Sequence, residues 1–111
     1  MESQDAIYSL YKDQPIYRDL LMDFVSCLDD RISRSQTAFA SKSWIELGQI
    51  MHQLRGAAAT YGFPGLAELA GSIEIASTSP VIEEDSILGS MKTVTDTCKR
   101  IESGMANLLR S

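Results

Sequence analysis

Apolar residues recur along most of the chain at the three- and four-residue spacing of an α-helix, and three prolines divide this pattern. The spacing predicts a first helix from Pro15 to about Ala40, with Pro15 in the first turn, where a missing N–H costs nothing. We therefore expect one long amphipathic helix here. Its apolar positions are Tyr17, Leu21, Phe24, Leu28, Ile32 and Phe39.

Two more helices are predicted in the middle of the chain. Residues 43–46, Ser-Trp-Ile-Glu, have the form of a capping box and favour a helix start there, with Ser41 as the alternative cap. This second helix is expected to end at Gly62, a natural left-handed C-cap. Pro64 then begins a third helix, which the segment 77–80, Ser-Thr-Ser-Pro, stops.

The last part of the chain has the most regular pattern and completes the predicted fold. Acidic residues at 83–85 favour a helix start because the helix dipole attracts anions there. The leading segment 6–11 is apolar at helical spacing and predicts a short extra helix. Short connections favour packing within one chain over a coiled coil. The prediction is an all-α, antiparallel, up-and-down four-helix bundle with a short extra N-terminal helix, forming a single domain over residues 1–111. The apolar stripe of the last helix comprises Ile87, Met91, Val94, Cys98, Ile101, Met105 and Leu108.

Composition excludes several classes of partner. The net charge of −5 argues against nucleic acid, which calls for a basic face. No apolar run approaches the roughly 20 residues of a membrane span, and the acidic N-terminus is unlike a signal peptide. Cys27 and Cys98 occupy apolar positions of the helical pattern. We therefore expect both to be buried as small hydrophobic side chains, with a structural disulfide as the alternative. These features together predict a cytoplasmic protein without a membrane partner.

Metal and cofactor chemistry finds little support in the sequence. The single histidine and two cysteines are more than twenty residues apart, which gives none of the short spacings of metal ligands. Neither type of glycine-rich phosphate loop occurs. We therefore expect no metal, no cofactor and no ATP site.

His52 is the strongest candidate for chemistry. A helical projection places it opposite an apolar stripe formed by Leu47, Ile50, Leu54, Ala57, Ala58 and Tyr61. Glycine on an exposed helix face costs about 1 kcal/mol relative to alanine, and two glycines flank this histidine. The pattern indicates an exposed imidazole that something bulky must approach closely. The flanking residues are Gly48, Gln49, Arg55, Gly56 and Ala59.

Residues 52–62, His-Gln-Leu-Arg-Gly-Ala-Ala-Ala-Thr-Tyr-Gly, resemble the signature of histidine-containing phosphotransfer domains. That signature has a histidine, a leucine two residues later, a basic residue, a glycine, a run of small residues and a final glycine. Arg55 stands where the family more often has lysine, and the charge is kept. The resemblance implies that His52 is reversibly phosphorylated on Nε2 and exchanges the group with an aspartate of a receiver domain.

The resemblance also implies roles for other residues. Glu74, twenty-two residues after His52, matches the position of the family's carboxylate or amide that holds the Nδ1 proton and orients the imidazole. Arg55 lies one helical turn from His52 and is expected to stabilise the phosphate. The residues expected to dock the partner are Ile45, Gly48, Gln49, Gly56 and Ala59.

The predicted function is that of a phosphocarrier in a multistep phosphorelay, and not of an enzyme with its own ATP site. Its partners would be response-regulator receiver domains and a hybrid histidine kinase, with the receiver supplying Mg²⁺. A monomer is expected. Two alternatives stay open: the phosphotransfer module of a larger hybrid kinase, or a scaffold bundle that docks a receiver without being phosphorylated.

Overall fold

The computed structural model describes residues 5–110, and all regular secondary structure within that range is helical. Four helices form the bundle, and a shorter helix precedes them, which confirms the predicted fold class. The elements are a 3-10 turn at Pro15–Tyr17, then α1 Arg18–Ser26, α2 Leu28–Ala40, α3 Trp44–Thr60, α4 Pro64–Ser77 and α5 Glu84–Arg110.

Helices α3 and α4 run antiparallel and share the largest helix–helix contact in the molecule. Gly48, early in α3, lies against Ser77 at the end of α4, whereas Arg55, later in α3, lies against Gly71. This order follows from the short connection 61–63, which forces the chain to turn back on itself. Polar residues on the outer faces of α3 and α4 are thereby brought side by side.

The buried core consists of the apolar stripes that the sequence predicted. On α3 the buried side chains include Leu47, Ile50, Leu54 and Ala58, while Ala57 is only half-buried. Complete burial of a leucine or isoleucine stabilises the fold by about 1.5–3 kcal/mol. The stripe fixes the rotation of α3 about its axis. The core residues of α5 are Ile87, Met91, Val94, Cys98, Ile101 and Met105.

The predicted bounds of α3 are close to the observed ones, but the capping box predicted at residues 43–46 does not form. Ser43 occupies the N-cap position, although its side chain makes no capping hydrogen bond; its backbone N–H donates to Ala38 O at 2.8 Å. Gly62 follows the helix with φ of +85°, the left-handed conformation that glycine adopts at low cost. A Cβ at this position would lie 2.6 Å from Ser9 Oγ, so glycine is required for space as well as for conformation.

The single helix predicted from Pro15 to Ala40 is wrong, because the chain breaks at Cys27 between α1 and α2. In a continuous α-helix the Cys27 N–H would donate to Asp23 O. Instead Ser26 Oγ donates to that carbonyl at 2.8 Å, and Cys27 N–H donates to Phe24 O at 3.1 Å. A serine hydroxyl that competes for a backbone carbonyl is a known source of local helix distortion.

The short helix predicted over residues 6–11 is also wrong. Residues 5–10 form an N-terminal strap, a non-helical segment that crosses the end of the bundle. Ile7 N–H donates to Arg100 O at 3.0 Å, and Leu10 N–H donates to Gly62 O at 2.9 Å. These donors serve carbonyls of other parts of the fold, so a local helix does not form. Gly104 has no Cβ to collide with the Ile7 carbonyl, which lets the strap lie against α5.

The short extra helix of this fold is α1, and it covers one end of the bundle. Phe24 of α1 packs against Tyr61 and Phe63, with ring centroids 5.3 Å and 5.6 Å apart. The aromatic contacts close the core just beyond the end of α3.

The two cysteines are free and have different environments. Cys98 is buried, as predicted, and burial raises the pKa of its thiol to about 12. Cys27 is exposed, contrary to the prediction, because it sits at the break between α1 and α2. Over residues 5–110, no helix is both long enough and apolar enough to cross a membrane.

Candidate functional site

His52 projects from the middle of α3 into solvent. Its side chain is 63% exposed, whereas the adjacent Met51 is 1% exposed. The contrast follows from the helical period, which turns successive residues about 100° apart. Burial of the core residues therefore fixes the rotation of α3 about its axis, and the imidazole points towards solvent.

Glu74 is the partner that α4 brings to this imidazole. Its Oε2 lies 2.9 Å from His52 Nδ1, although the two residues are 22 positions apart in the sequence. The Glu74 side chain is 24% exposed, so it is better shielded from water than the histidine. The antiparallel pairing of α3 and α4 creates this contact.

Arg55 completes a three-residue cluster with His52 and Glu74. Its Nε lies 3.2 Å from Glu74 Oε1, so the two carboxylate oxygens serve different partners. Its Nη2 also lies 3.3 Å from His52 Nδ1. The guanidinium thus lies beside the imidazole while it is ion-paired to the carboxylate.

Two contacts compete for the same ring nitrogen, and only one can be a hydrogen bond at a time. Nδ1 with a proton donates to Glu74, whereas Nδ1 without a proton accepts from Arg55. The carboxylate contact is shorter, and an unprotonated Nδ1 would place a lone pair against a carboxylate oxygen. The geometry therefore favours Nδ1–H···Oε2, which leaves the lone pair of a neutral imidazole on Nε2.

A shallow groove of about 430 Å³ opens beside the imidazole. A second groove of about 720 Å³ lies along the start of α3, and Ile45, Gln49 and Gln53 border both grooves. Ile45 is 79% exposed, a large apolar side chain without cover. Together the two grooves give this side of α3 a concave, partly apolar surface. The residues of the smaller groove are Ile45, Gly48, Gln49, His52, Gln53, Glu74 and Thr78.

The residues predicted to dock a partner are not equally accessible. Ile45, Gln49, Gly56 and Ala59 are exposed on the histidine side of the helix. Gly48 is buried, because it lies where α3 packs closest to the end of α4, and it forms the floor of the groove. The prediction of an exposed Gly48 face is therefore wrong.

Sequence reasoning missed Gly71 on α4 and left Gln53 without a role. A Cβ at Gly71 would lie 3.0 Å from Arg55 Cδ, so this glycine lies directly against the Arg55 side chain. Its position three residues before Glu74, on the same side of the helix, was the available signal. Gln53 is exposed and borders both grooves.

No metal-binding cluster accompanies the site. Within residues 5–110 there is no group of three or more His, Cys, Asp or Glu side chains placed to hold a metal ion. The chemistry that this cluster offers is that of an exposed nucleophilic nitrogen whose second nitrogen is fixed by a carboxylate.

Comparison with known proteins gives one match. The family model of the Hpt domain matches residues 19–110, a stretch that contains α3, α4 and the whole His52 cluster. Neither the curated proteins nor the solved structures contain a significant match. Since the family match covers most of the chain, the protein belongs to the Hpt domain family of histidine phosphotransfer modules, which exchange phosphoryl groups with receiver domains in phosphorelay signalling.

Proposed function

We propose that this protein is a phosphocarrier and that His52 Nε2 is its phosphoacceptor atom. The observation that carries the proposal is the arrangement of the ring: Nδ1 lies 2.9 Å from Glu74 Oε2 while 63% of the side chain is exposed. A nitrogen nucleophile needs a free lone pair and an open path to phosphorus. Both conditions are met at Nε2 when the proton stays on Nδ1.

The proposed step is a reversible transfer from a phosphoaspartate of a receiver domain. The Nε2 lone pair attacks phosphorus, an N–P bond forms, and the P–O bond to the aspartate breaks. The aspartate carboxylate leaves with the electron pair, and Nδ1 keeps its proton. Glu74 then faces the positive charge that develops on the ring, which stabilises the phosphorylated imidazole. The reverse step delivers the group to another receiver.

Arg55 has two tasks in this proposal. Before transfer it pairs with Glu74 through Nε. After transfer its Nη groups face the phosphoryl oxygens, which bring roughly two negative charges at pH 7. Nη2 lies 3.3 Å from Nδ1, the ring nitrogen that keeps its proton, so the flexible Arg55 side chain must swing towards Nε2 to meet the phosphoryl oxygens.

The receiver completes the site with Mg²⁺ and its acidic pocket, which neutralise the transferring group. It docks on the His52 side of α3. Ile45, Gln49 and Gly48 line the groove beside His52, and Gly56 and Ala59 are exposed further along the helix. The phosphoryl donor upstream is a hybrid histidine kinase or its receiver. The protein acts as a monomeric carrier in this exchange.

The test of this function uses the 111-residue chain and receivers labelled with radioactive phosphate. We expect the label to appear on this protein within the lifetime of the phosphorylated receiver, to survive base and to be lost in acid, the stability pattern of phosphohistidine. A receiver that binds the protein yet never transfers label would contradict the carrier function. That outcome would instead indicate the scaffold.

Replacing Glu74 by alanine is expected to slow phosphorylation of His52 by roughly 10- to 100-fold, the usual effect of removing a partner that fixes the tautomer of a working histidine. The nitrogen-15 chemical shifts of the imidazole report the tautomer. We expect the population of the Nδ1–H tautomer to fall in this variant. Glu74→Gln keeps an acceptor and should lie between the wild type and Glu74→Ala.

Glu68→Ala is the matched control for this experiment, since Glu68 is an exposed carboxylate of the same helix that does not line the His52 groove. Its phosphorylation rate should equal that of the wild type. An unchanged rate and unchanged imidazole shifts in Glu74→Ala would show that the carboxylate does not orient the ring.

A further inference from the structure

Gly71 is a helical glycine whose backbone conformation does not require glycine. It lies in the interior of α4, and its φ is not positive. Gly56, Gly65 and Gly89 resemble it in being helical, but a Cβ at any of them would meet nothing within 4 Å. A Cβ at Gly71 would lie 3.0 Å from Arg55 Cδ and 4.0 Å from Arg55 Cγ. The missing side chain therefore makes room for one particular neighbour.

The Arg55 stem crosses α4 at this glycine and reaches Glu74 one turn further on. Its Cδ is bonded directly to the Nε that lies 3.2 Å from Glu74 Oε1. The contact is an ion pair whose strength falls as the two atoms move apart. A displacement of Cδ by a few tenths of an ångström therefore also moves Nε relative to Glu74 Oε1.

The contact matters because Glu74 serves two partners at once. Arg55 occupies Oε1, and His52 Nδ1 occupies Oε2 at 2.9 Å. An arginine held on one oxygen restricts the rotation of the carboxylate, so the other oxygen stays directed at the imidazole. If Arg55 is pushed away from Glu74, its Nη2, now 3.3 Å from Nδ1, becomes free to compete for the ring nitrogen.

We propose that Gly71 is a positioning residue for the phosphoacceptor. Its missing side chain leaves space for the aliphatic part of Arg55, which can then form an ion pair with Glu74. Glu74 in turn stabilises the Nδ1–H form of His52. The inference deepens the proposed phosphocarrier function and rests on it. Glycine destabilises the middle of a helix relative to alanine, so α4 is less stable with Gly71 than it would be with alanine. In return, the space for the Arg55 side chain is preserved.

Gly71→Ala is the test, with Gly89→Ala as the matched control. Gly89 lies in the interior of α5, is exposed, and has open space where its Cβ would be. Gly89→Ala should melt higher than the wild type by roughly 4 °C, because alanine favours the helix, and Gly71→Ala should gain less, because its Cβ would lie 3.0 Å from Arg55 Cδ. Only Gly71→Ala should slow phosphorylation of His52, by up to about fivefold, the effect of one weakened ion pair.

Phosphoramidate serves as the phosphoryl donor for this comparison. It is a small molecule that needs no docking surface, so a slower reaction reflects the imidazole and not the approach of a receiver. The expected loss in Gly71→Ala is accompanied by a shift of the imidazole nitrogen-15 signals away from the Nδ1–H form. A merely structural glycine would change the melting temperature and leave both readouts unmoved.

A double-mutant cycle identifies the route of the effect. In an Arg55→Ala background there is no stem to displace, so Gly71→Ala should cause no further loss of rate. An equal loss in that background would overturn the proposal, as would an unchanged rate and unchanged ring signals in Gly71→Ala alone. If the wild type accepts no label from any receiver or from phosphoramidate, the phosphocarrier function fails; the imidazole signals of Gly71→Ala still decide the positioning role.

Discussion

His52→Gln is expected to abolish labelling of this protein by a phosphorylated receiver. His52 is the only histidine of the chain, so no other imidazole can accept the group. Glutamine has a similar size and polarity but no nucleophilic ring nitrogen. Removal of a nucleophile costs up to about 10⁶ in rate in enzymes studied by mutation, and we expect a loss of at least about 10³-fold here.

The fold should tolerate this substitution. The side chain that is replaced is 63% exposed and contributes nothing to the apolar core. Glu74 keeps its ion pair with Arg55, so no carboxylate is left without a partner. Surface substitutions of this kind change the free energy of unfolding by about 0.5 kcal/mol or less. A melting curve that matches the wild type would therefore assign the lost labelling to chemistry.

Glu68→Ala serves as the control here as well, since Glu68 is exposed on α4 and lines neither groove. Its label should accumulate at a rate close to that of the wild type. If His52→Gln still acquired a base-stable, acid-labile label, the phosphoryl group would lie on another residue. His52 would then not be the phosphoacceptor.

Gly56→Gln should block transfer from a receiver by roughly 100-fold or more. Gly56 lies one helical turn after His52, so its side chain would project on the same side of α3. A glutamine there would stand between the imidazole and an approaching aspartyl phosphate. Misplacing reacting groups by about 1 Å can cost about 10²-fold, and a glutamine side chain is longer than that.

The same substitution is expected to stabilise the bundle. A Cβ at Gly56 would meet nothing within 4 Å, so the fold has room for the new side chain. Glutamine is a better helix former than glycine by roughly 0.5 kcal/mol or more. Higher stability together with lost transfer would show that the glycine is kept for access to His52.

Two controls make the experiment specific. Gly89→Gln adds the same side chain to an exposed position of α5 and should leave transfer unchanged. Phosphoramidate should still label Gly56→Gln, because a small donor does not need the docking surface. Equal transfer from a receiver to Gly56→Gln and to the wild type would remove the steric role of this glycine.

Local pattern was enough to predict much of this molecule. The apolar period of α3 directed His52 outwards, because a helix with one apolar stripe has only one rotation that buries it. Pro64 and Gly62 marked the turn between α3 and α4, since each restricts the backbone in a way that few other residues do. The stripe of α5 was visible over its whole length for the same reason.

Competition for backbone groups was harder to predict from the sequence. The break at Cys27 coincides with a Ser26 hydroxyl that donates to the Asp23 carbonyl, and apolar spacing alone does not predict such a bond. The N-terminal strap uses its N–H groups on Arg100 and Gly62, which are distant in sequence. In both places a hydrogen bond outweighs the helical preference of the segment.

The sequence by itself determined which residues are apolar, roughly where α3 and α4 begin and end, where α5 begins, and that one histidine stands on a polar face. Only the tertiary structure decided how far α3 and α4 are shifted along each other. That shift places Glu74 at Nδ1, buries Gly48 and lays the Arg55 stem on Gly71. The reason is physical: a helical period fixes rotation about an axis, whereas alignment between two helices depends on how their side chains interlock.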